Sequence, residues 1–295
     1  MNQYISLING KFQNTISVLD RGLAYGDGFF ETMLWDSYGK NEEKIGVEFW
    51  NRHLKRINKG CKLMKINIPV EKEILDQRNK ILLKSKANGI NSGLLKLIIT
   101  RGVGGRGYRF EKNMKANLIF LSFKKPQLEL KNYESGVRVR VCKTKLSIND
   151  NLSGLKHLNR LDSVLARSEW EDDSFEGVFV DSEKNIIEGT MTNVFFIKKS
   201  VLTTPTIVNS GISGVMRQVV IDKGKRFFDE VIEKKINLNE LKNFDQMFLT
   251  NSVLKILPVT LFNNCKYSIK KNQTDLMNFF KVQNSNYKKV RLDLI

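Results

Sequence analysis

The chain has 295 residues, 41% hydrophobic and 27% charged, with a formal net charge of +18, a length that suits about two domains. Its longest apolar runs, such as Leu118-Ile119-Phe120-Leu121, are strand-sized, and Met1-Asn2-Gln3-Tyr4 lacks the basic-then-apolar layout of a secretory signal. Three widely spaced cysteines (Cys61, Cys142, Cys265) and two histidines form no disulfide framework or metal cluster, so the expectation is a reduced, cytoplasmic protein without a metal.

Tyr4 to Ile8 alternates and runs into Asn9-Gly10, a hairpin-turn signal. A second strand is expected over Gly28 to Trp35. Phe49, Leu54, Ile57, Cys61 and Met64 fall at helical spacing, and a further helix is expected from Val70 to Asn88 behind Pro69. Leu94 to Arg101 and Ala116 to Phe123 read as buried strands flanking a glycine-rich loop. Lys124-Lys125-Pro126 breaks the pattern, which divides the chain into a smaller domain over 1–124, a linker over 125–131 and a larger domain over 132–295.

In the second part, Val137 to Thr144 reads as a strand. Leu158 to Trp170 reads as a helix with Leu158, Leu161, Leu165 and Ser168 on one face. Gly177 to Asp181, Glu188 to Ile197 and Met247 to Thr250 read as strands, and Val215 to Phe228 and Thr274 to Val282 as helices. Strands and helices mix in both halves without strict alternation, so the fold class expected is α/β of the α+β type, with mixed sheets in two domains.

The positive charge has two readings. A nucleic-acid binder concentrates its charge in a patch interleaved with aromatics, whereas these lysines are scattered, with denser clusters only at Lys223 to Lys235 and at Lys288, Lys289 and Arg291. Lysine also outweighs arginine, the residue suited to phosphate forks. The expectation is therefore no nucleic-acid and no membrane partner, and a positive field that steers an anionic small molecule.

Lys156 follows a Ser/Gly/Asn-rich turn (Ser147 to Ser153) and precedes a helix-like run. A lysine fixed at such an entry can be partly desolvated and offered to a carbonyl as a neutral amine. Five more segments accompany it: Asp20-Arg21-Gly22-Leu23-Ala24-Tyr25-Gly26-Asp27-Gly28-Phe29-Phe30-Glu31-Thr32, Arg52-His53-Leu54-Lys55-Arg56-Ile57, Glu188-Gly189-Thr190-Met191-Thr192-Asn193, Gly211-Ile212-Ser213-Gly214-Val215-Met216, and Thr250-Asn251-Ser252-Val253-Leu254. Taken in order, they resemble the fold-type IV pyridoxal phosphate (PLP) enzymes, which include branched-chain aminotransferases, D-amino-acid aminotransferases and aminodeoxychorismate lyases.

The resemblance implies a two-domain D-amino-acid aminotransferase-like fold and PLP as cofactor. Lys156 matches the lysine that bonds to PLP. Arg56 matches the phosphate arginine, its fork suited to two oxygens at once. Glu188 matches the carboxylate that faces the pyridine nitrogen and keeps it protonated. The amides of Val215 and Met216, at a helix start, match the phosphate cup. Ser252 offers a hydroxyl to the same phosphate. His53 receives only a structural role, and Glu31 and Ser213 favour no branch of the group.

Thr100-Arg101-Gly102-Val103-Gly104-Gly105-Arg106-Gly107-Tyr108 and Lys156-His157-Leu158-Asn159-Arg160-Leu161 resemble the lyase branch. Its substrate, 4-amino-4-deoxychorismate, is a dianion, and Arg106 on a glycine-rich loop suits a carboxylate, with Tyr108 as a further donor or ring face. The implied reaction is elimination to 4-aminobenzoate and pyruvate in folate biosynthesis, with Lys156 moving the C4 proton and Thr32 assisting at the leaving oxygen. The resemblance also implies a homodimer. An aminotransferase acting on D- or branched-chain amino acids is the alternative within the group.

Overall fold

The structure is a computed structural model, described for residues 4–38, 44–280 and 292–294. The chain divides into two compact units, Met1–Gln127 with Leu155–Asn159 and Val290–Ile295, and Leu128–Gly154 with Arg160–Lys289. The sequence division assigned Lys156 to the second part; the fold returns it to the first.

The first unit holds β1 (Tyr4–Ile8), α1 (Arg21–Tyr25), β2 (Gly28–Tyr38), β3 (Lys44–Glu48), α2 (Trp50–Met64), α3 (Glu71–Ala87), β4 (Ser92–Thr100) and β5 (Asn117–Lys124). The last strand of the chain, β15 (Leu292–Leu294), pairs antiparallel with β3. The sheet order is β1-β5-β4-β2-β3-β15, with every pairing antiparallel. Strand alternation sorts the central residues cleanly. Phe29, Met33, Leu95, Leu97 and Ile99 are buried, while Phe30, Thr32, Lys96 and Ile98 lie half-buried on the other face.

Glu31 breaks the apolar pattern of the buried face. A carboxylate there must be paired, and α2 supplies both partners. Arg56 Nε donates to Glu31 Oε1 (2.7 Å), Arg56 Nη2 to Oε2, and His53 Nδ1 meets Oε2 at 2.6 Å. Burial alone raises the Glu31 pKa, but the adjacent Arg56 and His53 charges prevail and bring it down to about 2.

The second unit holds α4 (Leu130–Ser135), β6 (Val137–Val141), α5 (Leu161–Arg167), β7 (Glu176–Val180), β8 (Ile186–Gly189), β9 (Asn193–Lys198), β10 (Val201–Pro205), α6 (Val215–Gly224), β11 (Glu230–Lys234), a 3₁₀ turn (Leu238–Asn243), β12 (Gln246–Asn251), β13 (Lys255–Phe262), β14 (Cys265–Lys266) and α7 (Lys271–Phe279). Its sheet runs β11-β10-β9-β12-β13-β6-β7-β8, with β14 on β13, and mixes parallel and antiparallel pairs. Val178, Val194, Phe196, Met247, Leu249 and Leu257 fill its core.

Three expectations change. The helix read from Leu158 begins only at Leu161, because residues 156–158 are drawn into extended pairing with β2. Its apolar stripe is also not buried: Leu161, Val164 and Leu165 are exposed and Ala166 alone is buried. The strand read over Glu188 to Ile197 is two strands, β8 and β9, joined by a tight turn. The helix expected over Thr274 to Val282 starts earlier, at Lys271, and Val282 lies outside the described residues.

The stability that rests on ionised Glu31 is present above the ordinary glutamate value of 4.5 and is lost as pH falls towards about 2. Glu31→Gln is expected to cost roughly 3–5 kcal/mol at neutral pH, since it leaves the buried Arg56 guanidinium without its counter-charge. It should also flatten the acid loss. Urea unfolding of both proteins at successive pH values checks this, and equal acid sensitivity would contradict the ion-pair account.

Candidate functional site

Lys156 is held by backbone. Phe30 N donates to Lys156 O (3.0 Å) and Leu158 N to Gly28 O (2.9 Å), on either side of a Phe29–His157 bridge. Antiparallel partners share a face, so Lys156 projects on the side of Phe30, and its Nζ lies 4.4 Å from the Phe30 ring centroid. Thr32 is two residues along β2 on that face, half-buried opposite Lys96. Lys96 Nζ lies 5.0 Å from the Phe30 ring, and burial lowers its pKa. The fold thus gathers Lys156 and Thr32 with two groups that sequence reasoning missed, Phe30 and Lys96.

Arg56 is placed by Glu31 on the opposite, helix-covered face. Its Nε edge and Nη2 are engaged by the carboxylate, which fixes the guanidinium plane.

The loop bearing Arg106 and Tyr108 is anchored at its base. Gly102 has φ +94°, and a Cβ there would stand 2.1 Å from the Lys115 carbonyl oxygen, so only glycine fits. Arg21 Nη1 and Nη2 donate to the carbonyls of Gly107 and Tyr108, and Gly107 N donates to the Tyr25 hydroxyl. Asp27 accepts from both Arg21 and Arg101. Burial raises the Asp27 pKa, but those hydrogen bonds and charges outweigh it and the net shift is downward. The anchored loop leaves Arg106 and Tyr108 exposed, and Arg106 lines a cleft of about 1240 Å³ with Arg21, Lys62, Lys65, Arg109 and Lys112. Among the described residues that line it, Glu111 is the only carboxylate.

In the second unit, Glu188 ends β8 buried, and its Oε2 accepts from Ile212 N (2.8 Å) and Asn193 Nδ2 (3.3 Å). Burial lowers the Arg160 pKa, against the opposing charges of Glu188 and Asp162. Val215 and Met216 open α6 and are buried, while the cap residue Gly214 offers no side-chain acceptor. Among the described residues no acceptor meets their amides, the condition in which a buried helix start takes an anion. Ser252 sits half-buried in a turn closed by Asn251, whose Oδ1 accepts from Val253 N and Leu254 N. The amide of Asn193 is another group missed from sequence. It bonds both Glu188 and the Ile212 carbonyl.

The family described as "Amino-transferase class IV" matches residues 28–262. The chain is 32% identical over 255 residues to an aminodeoxychorismate lyase from Vibrio harveyi, covering 86% of this chain and 89% of that protein. It is also 32% identical over 259 residues to a Methanocaldococcus jannaschii protein provisionally named a branched-chain-amino-acid aminotransferase, covering 85% of each. A crystal structure of 4-amino-4-deoxychorismate lyase from Pseudomonas aeruginosa superposes with a TM-score of 0.84 at 31% identity, covering 95% of this chain and 99% of that one. The chain belongs to the class IV amino-transferase family of fold-type IV, PLP-dependent enzymes.

The residues present fit that cofactor. A lysine on an ordered backbone in the first unit and, in the second, a buried carboxylate held by an amide and a buried helix start whose amides meet no acceptor among the described residues are chemistries that suit PLP. Gly214 is the sensitive point, because a Cβ there would stand 2.1 Å from Asn193 Oδ1 and displace the amide that bonds Glu188. Gly214→Ala is expected to weaken PLP binding about tenfold, the effect of one or two lost buried hydrogen bonds. An absorbance titration of the apoprotein with PLP measures it; unchanged affinity would contradict this placement of the phosphate.

Proposed function

We propose that the protein is a 4-amino-4-deoxychorismate lyase, which eliminates pyruvate from its substrate to form 4-aminobenzoate, a folate precursor. The observation that carries the reading is the anchored glycine loop, which presents Arg106 in a cleft whose lining is strongly cationic. The substrate of that reaction carries two carboxylates, which a cationic lining suits. The names of the Vibrio and Pseudomonas relatives support the same reading.

When bound, PLP supplies an electron sink that makes the proton on the substrate carbon beside the amine acidic. Lys156 binds the cofactor, and its amine, once released, takes the C4 proton. The C3–oxygen bond then breaks, the enolpyruvyl group leaves and becomes pyruvate, and the ring turns aromatic. Thr32, on the same face as Lys156, delivers a proton at the departing oxygen. Glu188 holds the cofactor ring nitrogen protonated. Arg56, the amides of Val215 and Met216, and the Ser252 hydroxyl hold the phosphate. Arg106 and Tyr108 hold substrate carboxylates.

The reading includes a homodimer of a cytoplasmic enzyme. Supporting the dimer, Val18, Leu19, Leu23 and Val103 are exposed apolar side chains of the first unit, and Leu19 O accepts from Gly104 N in the Arg106 loop. Within the same family, the second reading is an aminotransferase for D- or branched-chain amino acids, which the Methanocaldococcus relative favours.

The test follows 4-aminobenzoate fluorescence from substrate generated in situ. Lys156→Ala should abolish product. Arg106→Ala should raise KM roughly 10- to 100-fold with little change in kcat, the effect of losing a charged hydrogen bond in binding. Thr32→Val should lower kcat about a hundredfold. An unchanged kcat would remove Thr32 from the chemistry. An unchanged KM in Arg106→Ala would remove the observation on which the lyase reading stands.

A further inference from the structure

We propose that Glu176, which touches none of the groups assigned to the cofactor, is the positioning residue that sets Glu188 and Asn193 in place; the proposal rests on the assignment of Glu188 to the ring nitrogen. Glu176 opens β7 and is fully buried. Among the described residues four donors meet its carboxylate, and all are neutral. Gly177 N (3.0 Å) and Thr190 Oγ1 (2.5 Å) donate to Oε1, and Met191 N (3.1 Å) and Thr192 Oγ1 (3.0 Å) to Oε2.

Three of those donors belong to one turn, and that turn is the motif Glu188-Gly189-Thr190-Met191-Thr192-Asn193. The backbone wraps so closely that a Cβ on Gly189 would stand 2.2 Å from Thr192 Oγ1 and 2.9 Å from Glu176 Oε2. Glycine and the two threonines of the motif are therefore explained by Glu176 and need no contact with the cofactor. The two ends of the turn are the residues that do the work: Glu188, and Asn193, whose Nδ2 bonds Glu188 Oε2 and Ile212 O. From the middle of the turn, Met191 O accepts from Asn251 Nδ2, which ties in the segment bearing Ser252.

A buried acid without a cation is a poor way to stabilise a core. Desolvation raises the Glu176 pKa, with the four donors opposing. An apolar residue of similar size would pack there at less cost. What an apolar residue lacks is the ability to accept from two backbone amides and two hydroxyls at once, which fixes the geometry of the turn.

The amides make the test sharp. A backbone N–H sits on each carboxylate oxygen, so the NH₂ of a glutamine must oppose one of them, whereas threonine hydroxyls can reverse their role. The holoenzyme of Glu176→Gln, Thr192→Val, Thr192→Ser and Glu188→Gln would be loaded with PLP labelled with ¹⁵N at the ring nitrogen. The ring-nitrogen chemical shift and the PLP dissociation constant are the readouts. Glu176→Gln and Thr192→Val are expected to move the nitrogen shift in the direction set by Glu188→Gln and to raise the dissociation constant about tenfold, with Thr192→Ser close to wild type. Thr192→Val keeps three of the four donors and covers the case in which Glu176→Gln fails to fold. If Glu188→Gln moves the shift and neither Glu176→Gln nor Thr192→Val does, the positioning role is overturned with the Glu188 assignment intact. If Glu188→Gln moves nothing, the assignment falls and the positioning proposal falls with it.

Discussion

The stretch from Gly28 to Phe30 is hydrogen-bonded on both sides, to β4 on one and to residues 156–158 on the other, and the placement of Lys156 depends on that double pairing. It leaves no room for a side chain at Gly28, where a Cβ would stand 2.3 Å from the Ile99 carbonyl oxygen and 2.9 Å from Leu158 Cδ1. The consequence is a chain that leaves the second unit after Gly154, lends Leu155–Asn159 to the first, and returns at Arg160. Lys156 is thereby carried on a sheet edge. Backbone bonds order it from both sides, which is what a lysine needs if it is to bond a cofactor and later move a proton at a defined atom.

Three buried carboxylates show how differently a fold can neutralise one charge type. Glu31 meets two cationic partners, and their charge overrides desolvation. Glu176 meets only neutral donors, and desolvation prevails. Glu188 accepts from one backbone amide and one side-chain amide, with Arg160 within electrostatic reach. The first secures α2 to its sheet and orients Arg56. The second shapes a turn, and the third stands at the end of that turn. Charge is kept buried here where it fixes direction, a use for which apolar packing has no substitute.

Much of this was legible in the residues themselves. Alternation in β1, β4 and β5 and helical spacing in α2 and α3 mark those elements because each buries one face against a common core. The motifs that carry Lys156, Glu188 and the start of α6 were also visible. What escaped was non-local. Leu158, Leu161 and Leu165 have helical spacing, yet pairing with β2 overrides it for residues 156–158, and the remaining leucines end exposed. β13 was missed because Pro258 interrupts its apolar run, although the proline sits within the strand opposite Phe248. Lys96 looked like one more surface lysine, and only the register of β2 against β4 places it beside Thr32. Glu176 gave no signal, since a single acid at a strand start is ordinary until the partners of its oxygens are known.

A lyase and an aminotransferase of this family share the cofactor shell and differ in what they do once the C4 or Cα proton has left. The most direct measurement is a balance of products from 4-amino-4-deoxychorismate generated from chorismate, with a keto acid acceptor also present. The account predicts 4-aminobenzoate and pyruvate in equal amounts, with no amino group passed to the acceptor. Aminated acceptor without 4-aminobenzoate, from a protein that also converts D-alanine or leucine to its keto acid, would contradict it.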